Sequence, residues 1–160
     1  MEWPEPVERV AGFLRAAGAE ARLEEFAEET PTAEDAAAAV GCDLAQIVKS
    51  VVFRYDGGIA VVLVPGDRRA DAGKVASALG VPRAWVARRA DVEAATGFAP
   101  GAVAPFPLPR VARVLIERTL LAHERVWVGA GSERHLAGLA PDELVRLSRA
   151  QPMDAVEGGA

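Results

Sequence analysis

The sequence predicts a single α/β domain of α+β-like character, spanning residues 1–160, with a mixed, mainly antiparallel β-sheet surrounded by helices. Three observations carry that expectation. Segments of helical period are interspersed with short β-branched runs, and neither kind is gathered in one half of the chain. Asp56-Gly57-Gly58 stands between the runs Val48–Tyr55 and Ile59–Val64, and its glycines supply the positive φ of a tight antiparallel hairpin. No repeat or long flexible linker divides the 160 residues, a length that builds one core.

Taken in order, Val7, Val10, Phe13, Leu14 and Ala17 recur at helical spacing up to Gly18, which closes a first helix. Residues 21–26 read as a short edge strand. Thr32 is a side-chain cap for a helix over Ala33–Val40, and Gly41 is its stop. Asp43 and Gln46 form a capping pair for one turn over residues 44–47. Beyond the hairpin, Asp71 caps a helix through Leu79, ended by Gly80 and Pro82. Ala84–Val86 reads as a strand, and Asp91 caps a short helix through Thr96 that Gly97 stops. Residues 97–109 hold too much glycine and proline for a regular element. Phe98, Val103 and Phe106 nevertheless make this loop apolar, as expected of a rigid wall buried on one side. Residues 111–116 and 125–128 read as strands, and Gly129-Ala130-Gly131-Ser132 as a tight connection. Pro141 opens a last helix over residues 142–150, with Asp142 and Glu143 at its positive end.

Several chemistries are excluded. His123, His135 and Cys42 stand at no metal-ligand spacing, so neither a metal nor another cofactor is expected, and one cysteine forms no internal disulfide. Gly129-Ala130-Gly131 lacks the third glycine of a dinucleotide loop, and Gly73-Lys74 falls inside a helix. No nucleophile elbow is present. Ser132 and His135 lie three residues apart, which is proximity in sequence and not an activated pair. The start, Met-Glu-Trp-Pro-Glu-Pro, has no leader pattern, and no apolar run reaches membrane-spanning length. A cytoplasmic protein with no membrane partner is expected.

Charge and one lysine point elsewhere. The net charge is −5, but residues 1–35 carry −7 while residues 68–89 carry +5. A basic face on an acidic protein can meet phosphate. Sixteen arginines stand against two lysines, Lys49 and Lys74. Lys49 lies within Ile47-Val48-Lys49-Ser50-Val51-Val52-Phe53, where an ammonium is costly unless it reaches water or a partner.

Three blocks of sequence, in this order and spacing, resemble the YbaK/EbsC family. They are Ile47-Val48-Lys49-Ser50-Val51-Val52; Thr96-Gly97-Phe98 with Gly101-Ala102-Val103-Ala104-Pro105-Phe106; and Val126-Trp127-Val128-Gly129-Ala130-Gly131 followed by Leu139-Ala140-Pro141-Asp142-Glu143-Leu144. The resemblance runs from about residue 7 to about residue 156. It implies a trans-editing aminoacyl-tRNA deacylase, similar to the editing domain of bacterial prolyl-tRNA synthetases. The implied partners are the aminoacylated 3′ end of tRNA and, as a candidate, a synthetase; no oligomeric state is implied. It also implies that Lys49 anchors the tRNA end and, with Gly101, serves catalysis. Ser50, Phe98, Ala102, Val103, Ala104, Pro105, Gly131 and His135 are the implied substrate-binding residues, His135 lying where some members face the substrate with a histidine. Members acting on cysteinyl-tRNA carry an acidic residue near the position of Leu136 and a serine at that of Ala104. The implied pocket here is therefore less polar and suited to a small amino acid. The alternative is a module of the same fold that grips a tRNA end or nucleotide without hydrolysis.

Overall fold

The computed structural model describes residues 3–158. The extreme ends of the predicted domain, including the first two residues of the segment read for a leader, lie outside the described residues.

A long hairpin organises the molecule. β2 (Ile47–Tyr55) and β3 (Gly58–Pro65) pair antiparallel from Val48 opposite Pro65 to Tyr55 opposite Gly58. Every residue of β3 from Ala60 to Pro65 is buried, so the hairpin must be covered on both faces. One face receives α3 (Ala72–Leu79), whose Val75 and Ala76 pack with Phe53, Val62 and Val64. The other face receives α1 (Glu5–Ala16) and the apolar loop, with Val10, Leu14, Phe98, Ala104 and Phe106 packed with Val52 and Leu63.

The remaining strands are β1 (Ala21–Glu25), β4 (Ala84–Val86), β5 (Arg113–Glu117), β6 (Val126–Gly129), β7 (His135–Leu139) and β8 (Gln151–Met153). Their order is β1-β7-β6-β2-β3-β5-β8, with β4 paired to β2 beside this path. Pairs β1–β7, β2–β3, β2–β4 and β6–β7 are antiparallel, while β2–β6, β3–β5 and β5–β8 are parallel. The sheet is thus mixed and mainly antiparallel, as the sequence predicts. Helices α2 (Ala33–Val40), α4 (Val92–Thr96) and α5 (Pro141–Ser148) complete the set among the described residues. Local signals act as expected at α2 and α3: Thr32 accepts from the Asp35 amide at 3.1 Å, and Asp71 from the Lys74 amide at 3.1 Å.

Two local expectations are corrected, and two strands, β7 and β8, have no counterpart in the sequence reading. Asp91 does not cap α4 with its side chain, because its carboxylate is drawn to Arg88 at 3.1 Å and Arg54 at 3.9 Å. The last helix stops at Ser148, whose hydroxyl donates back to the Leu144 carbonyl at 2.6 Å, and Arg149 turns to φ 58°. β7 escapes a period-two reading because all five of its residues are buried and glycine interrupts the run. That glycine is required: a Cβ on Gly138 would meet the Trp127 indole at 2.9 Å. β8 is an edge strand containing Pro152, which hides it from propensity.

The segment after β8 folds back over the sheet end. Glu117, 1% exposed, accepts from the Ala155 amide at 2.8 Å and the Thr119 amide at 2.9 Å. Replacing it leaves both amides without their acceptor. Glu117→Ala is expected to lower unfolding free energy by about 2–4 kcal/mol, measured by urea denaturation. A loss within error would show that this carboxylate does not hold the segment.

Candidate functional site

One edge of β2 is shared between two short neighbours. Its start pairs with β6, Ile47 opposite Trp127 and Val48 opposite Val128, and its end pairs with β4 from Phe53 to Tyr55. The Ala87 amide still reaches the Val52 carbonyl at 2.8 Å. Neither neighbour pairs with residues 49–51, and the loop after α4 enters beside this stretch. Gly129, the last residue of β6, approaches it so closely that a Cβ there would lie 2.8 Å from the Val103 carbonyl oxygen. The result is a cleft of about 330 Å³. Its floor is residues 47–50, one wall is Gly101, Val103 and Gly129, and the other is residues 30–33 with Ala36 and Leu136. A larger groove of about 470 Å³ lies against residues 105–109 and the end of α5. No lysine, histidine or carboxylate lines that groove, so the smaller cleft is the candidate site.

Lys49 is half-buried, and its Nζ donates to the Arg68 carbonyl oxygen at 2.7 Å. Burial pushes its ammonium below the usual lysine range; Glu34 and Asp67 oppose that shift and Arg69 adds to it. The carbonyl that receives Lys49 is held from several sides. The Gly66 amide donates to Ile47 at 2.8 Å, and the Asp71 amide to Ala155 at 2.8 Å. The Glu157 amide donates to the Arg69 carbonyl at 2.9 Å, and Arg68 Nη2 to the Glu157 carbonyl at 2.7 Å. Ser50 contributes a buried Oγ with no hydrogen-bond partner among the described residues.

Along the loop, neighbouring residues divide between cleft and core. Gly101, at φ 83°, and Val103 line the cleft, whereas Ala102 (6% exposed) and Ala104 (0%) are buried. Phe98 is fully buried in the core, with the Arg9 guanidinium 4.8 Å from its ring centre. Pro105 lines the larger groove instead. Gly131 is packed under the start of α1, where a Cβ would lie 2.8 Å from the backbone of Pro6 and Val7.

His135 is 2% exposed. Alternation along β7 puts it on the face opposite Leu136, so Leu136 is the β7 residue that reaches the cleft. Its Nδ1 lies 2.6 Å from Ser132 Oγ, making a contact of a pair whose spacing alone shows only proximity. Its Nε2 lies 3.2 Å from a Glu25 carboxylate oxygen, within ion-pair distance but not aligned as a hydrogen bond. A carboxylate there favours the proton on Nε2, so Nδ1 accepts from the Ser132 hydroxyl, which itself accepts from the Arg134 amide at 3.0 Å. Trp3 packs edge-on at 5.5 Å. Burial pushes the imidazole below its ordinary value, against the opposing pull of Glu25. Thr30 joins the cleft rim to this hairpin, its amide and hydroxyl donating to the Glu133 carbonyl at 2.6 and 2.9 Å.

The structure therefore brings Lys49, Ser50, Gly101 and Val103 together, and places Phe98, Ala102, Ala104, Pro105, Gly131 and His135 behind or away from the cleft lining. Thr30, Pro31 and Ala36 enter the site without a sequence signal of their own, because only the approach of α2 and the segment before it to β2 brings them there.

A family model for the aminoacyl-tRNA editing domain matches residues 27–147. The chain belongs to that family, in its YbaK/EbsC branch. It is 32% identical over 126 residues to a proline–tRNA ligase of Xanthomonas oryzae pv. oryzae, which covers 78% of this chain but only 22% of the ligase. It is 27% identical over 127 residues to EbsC of Enterococcus faecalis, a proposed Cys-tRNA(Pro)/Cys-tRNA(Cys) deacylase, covering 79% of this chain and 77% of that protein. A crystal structure of a proposed trans-editing enzyme for prolyl-tRNA synthetase superposes with a TM-score of 0.91 and 35% identity, covering 98% of this chain and all of that one.

Two outcomes test this geometry. Gly129→Ala should push the Val103 carbonyl away and cost about 1–3 kcal/mol of stability in a denaturant titration. For His135, the folded-state value lies below the ordinary 6.5, so on acidification the unfolded chain takes up a proton first. Its contribution to stability therefore falls as pH drops through about 6.5 and levels off below the folded value. His135→Asn should flatten that part of a melting-temperature profile against pH; an unchanged profile would contradict it.

Proposed function

We propose that the protein is a trans-editing deacylase that hydrolyses the ester of a mischarged tRNA carrying a small amino acid, with 1–160 as one editing domain. The observation that carries this reading is the Lys49 ammonium in the same cleft as Gly101 and Val103. Family membership supports it, as do the proposed Cys-tRNA deacylase activity of EbsC and the match to a segment of prolyl-tRNA synthetases. The aminoacylated 3′ end of tRNA is the substrate. A synthetase is a candidate second partner, and the cytoplasm is the site of action.

In this reading Lys49 exchanges the Arg68 carbonyl for a phosphate or ribose oxygen of the terminal nucleotide. An ammonium suits that exchange as a compact charge with three donors. The Ala102 amide is already bound to Ala99 at 2.9 Å, so the amides of Gly101 and Val103 are the loop donors for the ester oxygen. Donors placed where charge develops lower the barrier without a protein nucleophile. A water oxygen adds to the ester carbon, the bond to the ribose oxygen breaks, and that oxygen takes a proton relayed through the neighbouring ribose hydroxyl. Ser50 Oγ is a hydrogen-bond group at the floor. Leu136, Val103 and Ile47 give the amino-acid side an apolar lining, suited to a short side chain.

Incubation with a panel of mischarged tRNAs tests this reading. Release of at least one small amino acid is expected, and Lys49→Ala should lower kcat/KM by about 100-fold. Binding without turnover of any substrate would replace it with the non-catalytic module of the same fold. Undiminished turnover in Lys49→Ala would remove the lysine from the mechanism.

A further inference from the structure

The two large apolar side chains that stand in solvent among the described residues are neighbours on β4, Trp85 at 40% and Val86 at 58% exposure. β4 is three residues long and pairs only with β2, so its other edge is open. An exposed tryptophan on an open edge invites association. What surrounds it indicates with what. The Arg83 guanidinium lies 5.8 Å from the indole ring centre. Arg54 is the cross-strand partner of Trp85. Arg88 and Arg89 follow β4, and both are exposed. Asp91 is the acid among them. It binds Arg88 and Arg54 on one carboxylate oxygen, which orients two guanidiniums and leaves the four-arginine patch positive.

We propose that this patch is a second RNA-contacting surface, which holds the acceptor stem of the tRNA whose aminoacylated end occupies the cleft. The inference rests on the reading of the cleft as a site for a tRNA end. Arginine forks match phosphate oxygens, and an indole face stacks on any base. Lys49 and Arg54 are five residues apart on one strand, about 17 Å at the rise of an extended chain. A stacked strand covers that distance in about five nucleotides. The odd separation sends the Lys49 and Arg54 side chains to opposite faces of β2. Ser50, which lines the same cleft, shares the face of Arg54 and Trp85. An RNA whose last nucleotide lies in the cleft therefore reaches Trp85 by passing over the open edge at residues 49–51. An acidic protein partner would meet the same charges, but it has less use for a planar aromatic face set among guanidiniums.

The probes are an RNA minihelix with an acceptor stem and a single-stranded CCA end, and the CCA trinucleotide alone, both followed by fluorescence anisotropy. Trp85→Ala should weaken minihelix binding about ten-fold, and Trp85→Phe should largely retain it. Arg83→Glu with Arg88→Glu should weaken it further and lower the salt slope by about two. These two side chains are exposed, so the pair tests the patch even if Trp85→Ala fails to fold. Trinucleotide binding should survive every patch variant and weaken in Lys49→Ala. If patch variants bind the minihelix like the parent while Lys49→Ala does not, the inference falls and the cleft reading stands. If Lys49→Ala also leaves both probes unaffected, the cleft reading falls as well. If Val86→Glu abolishes self-association and RNA binding is unchanged, the patch is a protein contact and the inference is overturned.

Discussion

The middle of β2 is paired along one edge only, and the site follows from that single vacancy in the sheet. β6 supports the beginning of the strand and β4 its end. Had either been longer, residues 49–51 would have been sealed into a regular ladder. Instead an irregular loop closes the gap, and irregular backbone next to a sheet needs close approach. Gly129 allows it by lacking a Cβ where the Val103 carbonyl passes. The loop is in turn fixed from behind by Phe98, Ala104 and Phe106, so a segment without secondary structure behaves as part of the core.

Lys49 illustrates how the fold accommodates a cation that the local sequence alone would not tolerate. Its stem lies in a half-buried position on an apolar strand, and its charge is met by a main-chain carbonyl. Glu34 and Asp67 favour the charged form without forming ion pairs to it. An ammonium held by a neutral oxygen is easier to re-partner with an anion than one already paired with a carboxylate.

Much of this was legible in the sequence because the signals were local. Turn glycines set the central hairpin, Thr32 and Asp71 fixed helix starts, and a rare lysine among arginines marked the cleft floor. What escaped was non-local. Asp91 has the identity of a helix cap, but its carboxylate is taken by Arg88 at 3.1 Å and by Arg54, which only the pairing of β2 with β4 brings near. β7 is buried along its whole length and broken by a glycine whose reason lies in Trp127, so no alternation marks it. The same limit explains the site. Which of residues 98–105 face the cleft depends on how the loop crosses the sheet, and the orientation of His135 depends on the register of β7 against β1, where Glu25 is its partner.

The hydrogen bonds around Arg68 also bear on the order in which the molecule is assembled. Arg68 and Glu157 are 89 positions apart, and Asp71 and Ala155 are almost as distant. Contacts of such separation form late, since the intervening chain must first be organised. The central hairpin, by contrast, joins residues adjacent in the chain and can form early. Lys49 thus sits on a local hairpin, while the carbonyl that receives it is held at two ranges of the chain. The Gly66 amide on the Ile47 carbonyl and the Arg68 amide on the Pro65 carbonyl at 3.1 Å place it from within the hairpin, and residues 155–157 brace it from the far end of the sequence.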